Sequence, residues 1–415
     1  MRTHLVEYFL TDDAALIFRI TEDAAQPDLT TVPVRQDELI TRVLTLLKSL
    51  DETAAGDGDA LARVRAALDD PLLASLVAPV LAGTRPDDRV HIVPHGALHR
   101  VPLHAVRAGG TCLGERNPVA YSPSASVLRY CRANRRAPRA TVLAVTDPLG
   151  TRALTFGTAQ TAAAADELQY SELRGARASR DDVIARLRPP AEPPSVLHVG
   201  AHGVFDEREP MRSGVELTGG RLTADDILGL RLTGTLVVLA ACRTGVSEAR
   251  PGDELLGLIR ALIYAGAPGV LVSLWPVDEL ATALLLERFY RALGDGAAAG
   301  DALTRGQRWL RDRTAEEAAE AAARIRASTP AGHPAAVRQA IIEARMHQLA
   351  GDHAAALLAA TGAAELATAD EDRLQARRLA ARSRLLAGTP ATGAGRKVYE
   401  HPFFWAPFVL VGDWR

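Results

Sequence analysis

Cysteine is scarce in this chain. Three are present, Cys112, Cys131 and Cys242. An odd count without regular spacing argues against a disulfide framework and fits a reducing compartment. A surplus of one charge is also lacking. The formal net charge is -2, which gives no bulk attraction to nucleic acid or to an acidic membrane. Apolar runs stay short of the roughly 18 to 20 residues that a membrane helix needs. The opening, MRTHLVEYFLTDDAALIF, has no signal-peptide apolar region behind a basic stretch, because Glu7, Asp12 and Asp13 interrupt it. Neither G-x-x-x-x-G-K-[ST] nor G-x-G-x-x-G occurs, so Gly150 to Gly157 and Gly219–Gly220 form no phosphate loop. The expectation is a cytoplasmic protein without a membrane anchor, without direct nucleic-acid contact and without a cofactor.

What is present is a chain of 415 residues, long enough for one large core or two modest ones. Residues 3–10 and 15–21 are rich in apolar and β-branched side chains and read as a hairpin around Thr11, Asp12 and Asp13. Helical spacing follows at 37–49 and 59–83. From residue 88 short apolar runs alternate with helical stretches. The runs are Arg89–Val93, Thr141–Val145, Val196–Val199, Leu236–Ala240 and Gly269–Leu274. Runs this short and this apolar fit strands buried on both faces of a parallel sheet. Crossover helices fit at 160–170, 180–188, 253–266 and 278–293, which predicts a three-layer α/β domain.

Residues 311–395 are rich in Ala, Glu and Arg, helical in period and free of strand candidates. Breaks fall near Gly351–Asp352 and Thr368–Glu371. The fragment AIIEARMHQLAGDHAAALLAA resembles one tetratricopeptide-type hairpin; an ordinary helical insertion accounts for it equally well. Phe408–Val411 reads as a last apolar strand, with the preceding aromatic cluster packed over the sheet edge. The expected division is a lead-in region 1–87, an α/β core 88–310, a helical insertion 311–395 and a final core strand within 396–415.

Two strand ends carry the chemistry. SVLHVGAHGVFDE runs into His202 and Gly203, and TLVVLAACRTG runs into Cys242 and Arg243. Ligands of parallel sheets sit at the carboxyl ends of strands. If the two strands are neighbours, an imidazole and a thiol face each other there. A thiol of pKa about 8.5 is mostly protonated at neutral pH, and the thiolate is the nucleophile. A histidine can take that proton and return it to a leaving amine. The N–H groups of Gly203 and Cys242 are the candidates for the oxyanion hole. Each residue also has a plain structural reading, a buried core thiol or a hydrogen-bonded loop imidazole. His198, inside the apolar run, is expected to point into the sheet packing. His91, His95, His99 and His104 recur every four or five residues, but Pro94, Gly96 and Pro102 forbid the helix that would align them on a metal. Cys112 and Cys131 read as structural.

HVGAHGVFDE, LVVLAACRTG and VLVSLWPVDE, in that order, resemble the CHAT family of caspase-like peptidases, relatives of separase associated with tetratricopeptide proteins. HIVPHGALHRVPLHAV, SGVELTGGRLTADDILGLRL, GDELLGLIRALIYAGAPGV and HPFFWAPFVLVGD resemble further family segments, together covering most of 88–310 and 396–413. The resemblance implies a caspase-like fold with a helical insertion before the last strand. It also implies a cysteine endopeptidase acting on a protein substrate, with His202 and Cys242 as the dyad. Gating by a sensor or scaffold protein in bacterial defence or cell death is a further implication. The small or acidic residue usual after the cysteine is Arg243 here, and an arginine beside a thiol favours the thiolate. An acid near Asp278 and Glu279 lines the specificity pocket in separase-like relatives, which implies Lys or Arg before the scissile bond; alternatively Asp278 caps the helix 279–293. Asp206, with Glu207 and Glu209, either lines the cleft or forms a solvated loop. The alternative function is a catalytically silent or latent caspase-like module whose helical insertion docks partners.

Overall fold

The alternating runs at the start of the chain pair as their period of two requires. Thr3–Leu10 (β1) buries Val6 and Tyr8, and Ala14–Thr21 (β2) buries Ala15 and Ile17 against the same core. Asp28–Pro33 (β3) adds antiparallel to β2. The structure, a computed structural model, describes residues 2–54, 59–136, 141–149, 154–204, 206, 209–240, 253–330, 332–388, 393 and 395–415, with backbone alone at 253–256.

Three helices follow: Gln36–Ala54 (α1), Ala60–Leu68 (α2) and Pro71–Gly83 (α3). α1 buries Leu39, Val43, Leu46 and Leu50, one side of a 3.6-residue period. The break between α2 and α3 has a local cause. The Asp70 side chain accepts the N–H groups of Leu72 and Leu73, and Pro71 takes the first helical position. No single described helix is long and apolar enough to cross a membrane. The bent pair α2–α3 passes a test of length and composition, but Leu73, Leu76, Val77 and Val80 are buried in the protein core.

Arg89–Val93 (β4) runs parallel to β1, so the opening strands extend the central sheet. A two-residue hairpin, Arg107–Ala108 (β5) and Thr111–Cys112 (β6), leads through Leu113–Arg116 (α4) to Val119–Tyr121 (β7) and Ala125–Ala133 (α5). Then come Thr141–Thr146 (β8), Gly157–Glu167 (α6), Gln169–Arg174 (β9), Arg180–Leu187 (α7) and Val196–Gly200 (β10). Three short strands, Gly203–Val204 (β11), Gly214–Leu217 (β12) and Gly220–Thr223 (β13), form a small antiparallel sheet ahead of Ala224–Leu228 (α8). The core continues with Leu236–Leu239 (β14), Asp253–Tyr264 (α9), Gly269–Ser273 (β15), Glu279–Gly294 (α10) and Ala299–Arg311 (α11).

The large sheet has the order β3-β2-β1-β4-β7-β16-β15-β14-β10-β8-β9, where β16 is Phe408–Gly412. Neighbours are parallel except at β2–β3, β1–β2 and β15–β16. The mixed α/β architecture, a mostly parallel sheet flanked by helices, is the expected one. β8, β10, β14 and β15 run the same way, so their carboxyl ends share one edge. β16 does not close an edge. It lies inside the sheet between β7 and β15, and the aromatic cluster before it packs inward rather than over an edge as expected. Within Pro402–Trp405 (α16), Trp405 stands edge-on to His104 and the Phe403 carbonyl accepts the indole N–H of Trp275 at 3.1 Å.

The expected helix 160–170 ends early. Residues 169–174 instead form the edge strand β9, whose alternating polar side chains suit a strand with one free side.

Four further helices lie between α11 and the last strand: Ala315–Ser328 (α12), Ala336–Ala350 (α13), His353–Leu366 (α14) and Asp370–Leu386 (α15). Gly351 ends α13 at φ +82°, and Asp352 caps α14 through the amide of Ala355. Ile325 and Met346 join the main core. The outer helices pack through small satellite clusters, Ala344, Ala359 and Ala360 in one and Ala340, Ile341, Ala363 and Ala376 in the other. Glu343, nearly fully buried, is held by Arg326, which ties α13 to α12.

Candidate active site

β10 and β14 are hydrogen-bonded neighbours, with Val196 opposite Leu236 and Val199 opposite Leu239. The Ala240 N–H still donates to the Val199 carbonyl at 3.1 Å. Both strands therefore end at one level. β10 continues through Ala201 into His202, which is buried with 6% of its surface exposed. β14 continues into residues 241–252, so Cys242 and Arg243 lie outside the described residues.

The small sheet fixes the His202–Gly203 corner. The Glu216 N–H donates to the His202 carbonyl at 2.8 Å, and Gly203 stands opposite Val215. Gly214 permits the close pairing of β12 with β13 behind that corner: a Cβ there would lie 2.1 Å from the Leu222 carbonyl oxygen. The far end of the hairpin is anchored twice. Thr223 and Asp226 form a capping box at α8, and Arg180 binds the Asp226 carboxylate with Nε at 3.0 Å.

His198 packs into the sheet as expected. It is fully buried, its Nδ1 lies 2.8 Å from the Tyr290 hydroxyl of α10, and burial pushes its pKa down to about 3. The remaining histidines take unrelated places. His91 stands edge-on to Trp414, His95 accepts the Leu10 N–H at 3.2 Å, and His104 bridges the Tyr121 hydroxyl and the Ala406 carbonyl. Among the described residues no group of three or more His, Cys, Asp and Glu is arranged for a metal. Cys112 and Cys131 are free and buried, and burial pushes both thiols up to about 12, so both stay protonated.

The acids expected to meet substrate are engaged within the chain. Asp278 caps α10, accepting the Ala281 N–H at 2.8 Å. Its carboxyl is half-buried, and burial raises it above the usual carboxylate range. The Ala281 amide and the Arg345 guanidinium oppose the rise, and Glu279 adds to it. Glu279 accepts the Thr155 N–H at 2.6 Å and so holds the loop after β8. Asp206 accepts the Glu209 N–H at 2.9 Å and shapes its own turn, while Glu209 pairs with Arg212 and Glu207 lies outside the described residues.

Sequence reasoning missed two features of this edge. Asp147, directly after β8, adopts a left-handed backbone at φ +47° and binds Arg174 at 2.8 Å. The only sequence signal is an Asp-Pro pair at a strand end. The second feature is contact with the helical block. Gln339 of α13, almost fully buried, donates to the Thr155 carbonyl at 2.7 Å, and His333 lies 3.9 Å from Asp147. Nothing in the spacing of 311–395 points to that loop.

The family described as CHAT domain matches residues 60–413. The chain belongs to the CHAT-domain family. That span takes in the sheet from β4 onward, the corner at His202 and the four helices before the last strand. Among curated proteins, this CHAT domain is 43% identical over 82 residues to human Tetratricopeptide repeat protein 28 and 42% identical over 82 residues to the mouse protein. Each match covers 20% of this chain and 3% of the relative, so the chain spans only a small part of those proteins. Among solved structures, the Saccharomyces cerevisiae separase–securin complex matches with TM-score 0.49 and 9% identity, over 74% of this chain and 28% of that one.

Proposed function

We propose that this CHAT domain is a cysteine endopeptidase with His202 and Cys242 as its dyad. The supporting observation is the common level at which β10 and β14 end, with buried His202 following one strand and Cys242 following the other in sequence. In this reading the Cys242 sulfur gives up its proton to the His202 ring and attacks the peptide carbonyl carbon. The tetrahedral intermediate collapses as the ring protonates the leaving amine, and water then hydrolyses the thioester. The Gly203 N–H suits the oxyanion. The ladder bond at its corner runs between Glu216 and His202, which makes Gly203–Val215 a pair that draws no bond from Gly203. The Cys242 N–H is the proposed second donor. In this reading the substrate is a protein, and control by a sensor or scaffold partner in a bacterial defence or cell-death setting is proposed by analogy with the family.

The test is a fluorogenic peptide library together with alkylation of Cys242 by iodoacetamide. Cys242→Ala and His202→Ala should each abolish cleavage without changing the far-UV spectrum, and His202→Ala should slow alkylation near neutral pH. Cleavage retained by both variants would sink the proposal.

A latent form is favoured by one set of contacts. Gln339 and Arg345 of the helical block approach the Thr155 loop and Asp278. Deleting the block would take Ala318, Ala322 and Ile325 out of the main core, so point changes are the cleaner probe. Arg345→Glu with Gln339→Ala should raise basal cleavage; unchanged or lower cleavage would count against latency.

A further inference from the structure

The outer face of α15 is the least accounted-for surface among the described residues. Its inner face is settled: Ala376 joins the cluster with Ala340 and Ala363, and the Gln348 side chain donates to the Leu379 carbonyl at 2.8 Å and to the Ser383 hydroxyl at 2.6 Å. Leu374, Arg377, Arg378, Ala381, Arg382 and Leu385 occupy the opposite stripe, all exposed, at the spacing of a single helix face. Leu385 is 85% exposed and Leu374 50% exposed.

Elsewhere in this helical region arginines meet carboxylates. Arg313 binds Glu317, Arg324 binds Glu287, Arg326 binds Glu343, Arg338 approaches Asp372 and Arg373 binds Asp370. Arg377, Arg378, Arg382 and Arg384 make no ion pair or hydrogen bond among the described residues. The helix dipole accounts for Arg384, in the last turn, but its effect fades within one turn and leaves Arg377 and Arg378 unexplained. Arg378 and Arg382 are four residues apart, a like-charge spacing that weakens an isolated helix. A concentrated positive stripe also departs from a whole chain of net charge -2.

We propose that this face is a docking surface for an acidic amphipathic helix of a partner protein. The two leucines flank the arginines and stand about 16 Å apart along the axis, three helical turns. A partner helix laid along α15 would cover both leucines and bring its carboxylates onto the guanidinium groups between them, where Arg forms paired hydrogen bonds. A membrane surface would need a broad apolar face, and Ala376, Leu379 and Ala380 of α15 pack into the inner clusters. A nucleic acid would gain nothing from the leucines, and no exposed aromatic residue accompanies them for base stacking. The proposal does not depend on His202 or Cys242.

The test uses the full chain carrying Cys242→Ala and a fluorescein-labelled helical peptide of about 18 residues, with Glu along one face and Leu at three-turn spacing. A scrambled peptide of the same composition, phosphatidylserine vesicles and a single-stranded oligonucleotide serve as competitors of other kinds. The designed peptide should bind, more weakly at high salt, and both R377E/R378E/R382E and L374S/L385S should weaken binding roughly tenfold or more. All these positions are exposed, so circular dichroism should show the fold intact. The proposal is overturned if the designed peptide fails to bind or binds no better than the scramble. It is equally overturned if the leucine variant binds like the parent, or if vesicles or oligonucleotide bind more tightly. Sedimentation showing that the same leucines hold two copies of this chain together would overturn it in favour of self-association.

Discussion

At the scale of single residues, the cap that Asp278 forms and the receptor role that the family resemblance implies for it can be separated by substitution. As a cap it needs only a side-chain oxygen, and Asn supplies one; as a receptor for a basic side chain it needs a negative charge. Burial makes that charge costly in the free protein, so an incoming cation would stabilise it. Asp278→Asn should leave stability within about 0.5 kcal/mol, whereas Asp278→Ala should cost about 1 kcal/mol by stranding the Ala281 N–H. If cleavage favours Lys or Arg before the scissile bond, Asn should remove the preference. An unchanged preference would confine Asp278 to its cap. The histidines give a second residue-level outcome. Burial pushes His91 and His104 down to about 4 and His198 to about 3, whereas an unfolded histidine protonates near 6.5. In the interval the unfolded chain binds more protons, so stability falls as the pH falls, by on the order of 4 kcal/mol per pH unit for three such groups. Asp88 acts lower. Burial raises its carboxyl, but the amides of Arg2 and Arg85 and the His4 ring outweigh that and hold it at about 2. Its contribution is present above its unfolded pKa and lost only as the pH drops through about 2. Urea midpoints measured from about pH 7 to pH 5 should therefore decline steadily; a flat series would refute the assignment.

At the scale of elements, packing differs sharply between core strands and outer helices. β10, β14 and most of β15 are buried along their length, while α14 and α15 meet through alanines. Alanine removes little apolar area from water, and each Å² contributes only about 25 cal/mol. Amides of α14 and α15 should exchange with deuterium before those of β10, β14 and β15; the reverse order would contradict this account. The same contrast explains what the sequence disclosed. β8, β10, β14 and β15 stood out because strands covered on both faces must be short and apolar. β7 was invisible because three residues between Pro118 and Ser122 carry no period, and β9 because an edge strand looks polar. The corner at His202 was legible from its small flanking residues. The hairpin that braces it was not, since the need for Gly214 appears only when Leu222 is folded onto it. The loop contacts of Glu279, Gln339 and Asp147 depend on segments far apart in the chain, which no local pattern records.

At the scale of the whole molecule, α13 connects distant parts. Near its start Gln339 reaches the Thr155 loop on the edge where β8, β10, β14 and β15 end. Near its finish Gln348 reaches α15. A displacement of α15 is thus one helix away from that edge. The sheet itself has a seam. Two blocks of parallel strands run in opposite directions, and β16 joins them at its antiparallel pairing with β15. This strand comes after everything else in the sheet has been made. During synthesis the two blocks must wait, side by side and incomplete, until Phe408–Gly412 has left the ribosome. Assembly of the edge that carries His202 is then timed by the last strand to emerge, and a chain cut short before it would present two unzipped sheet edges to the cell's chaperones and proteases.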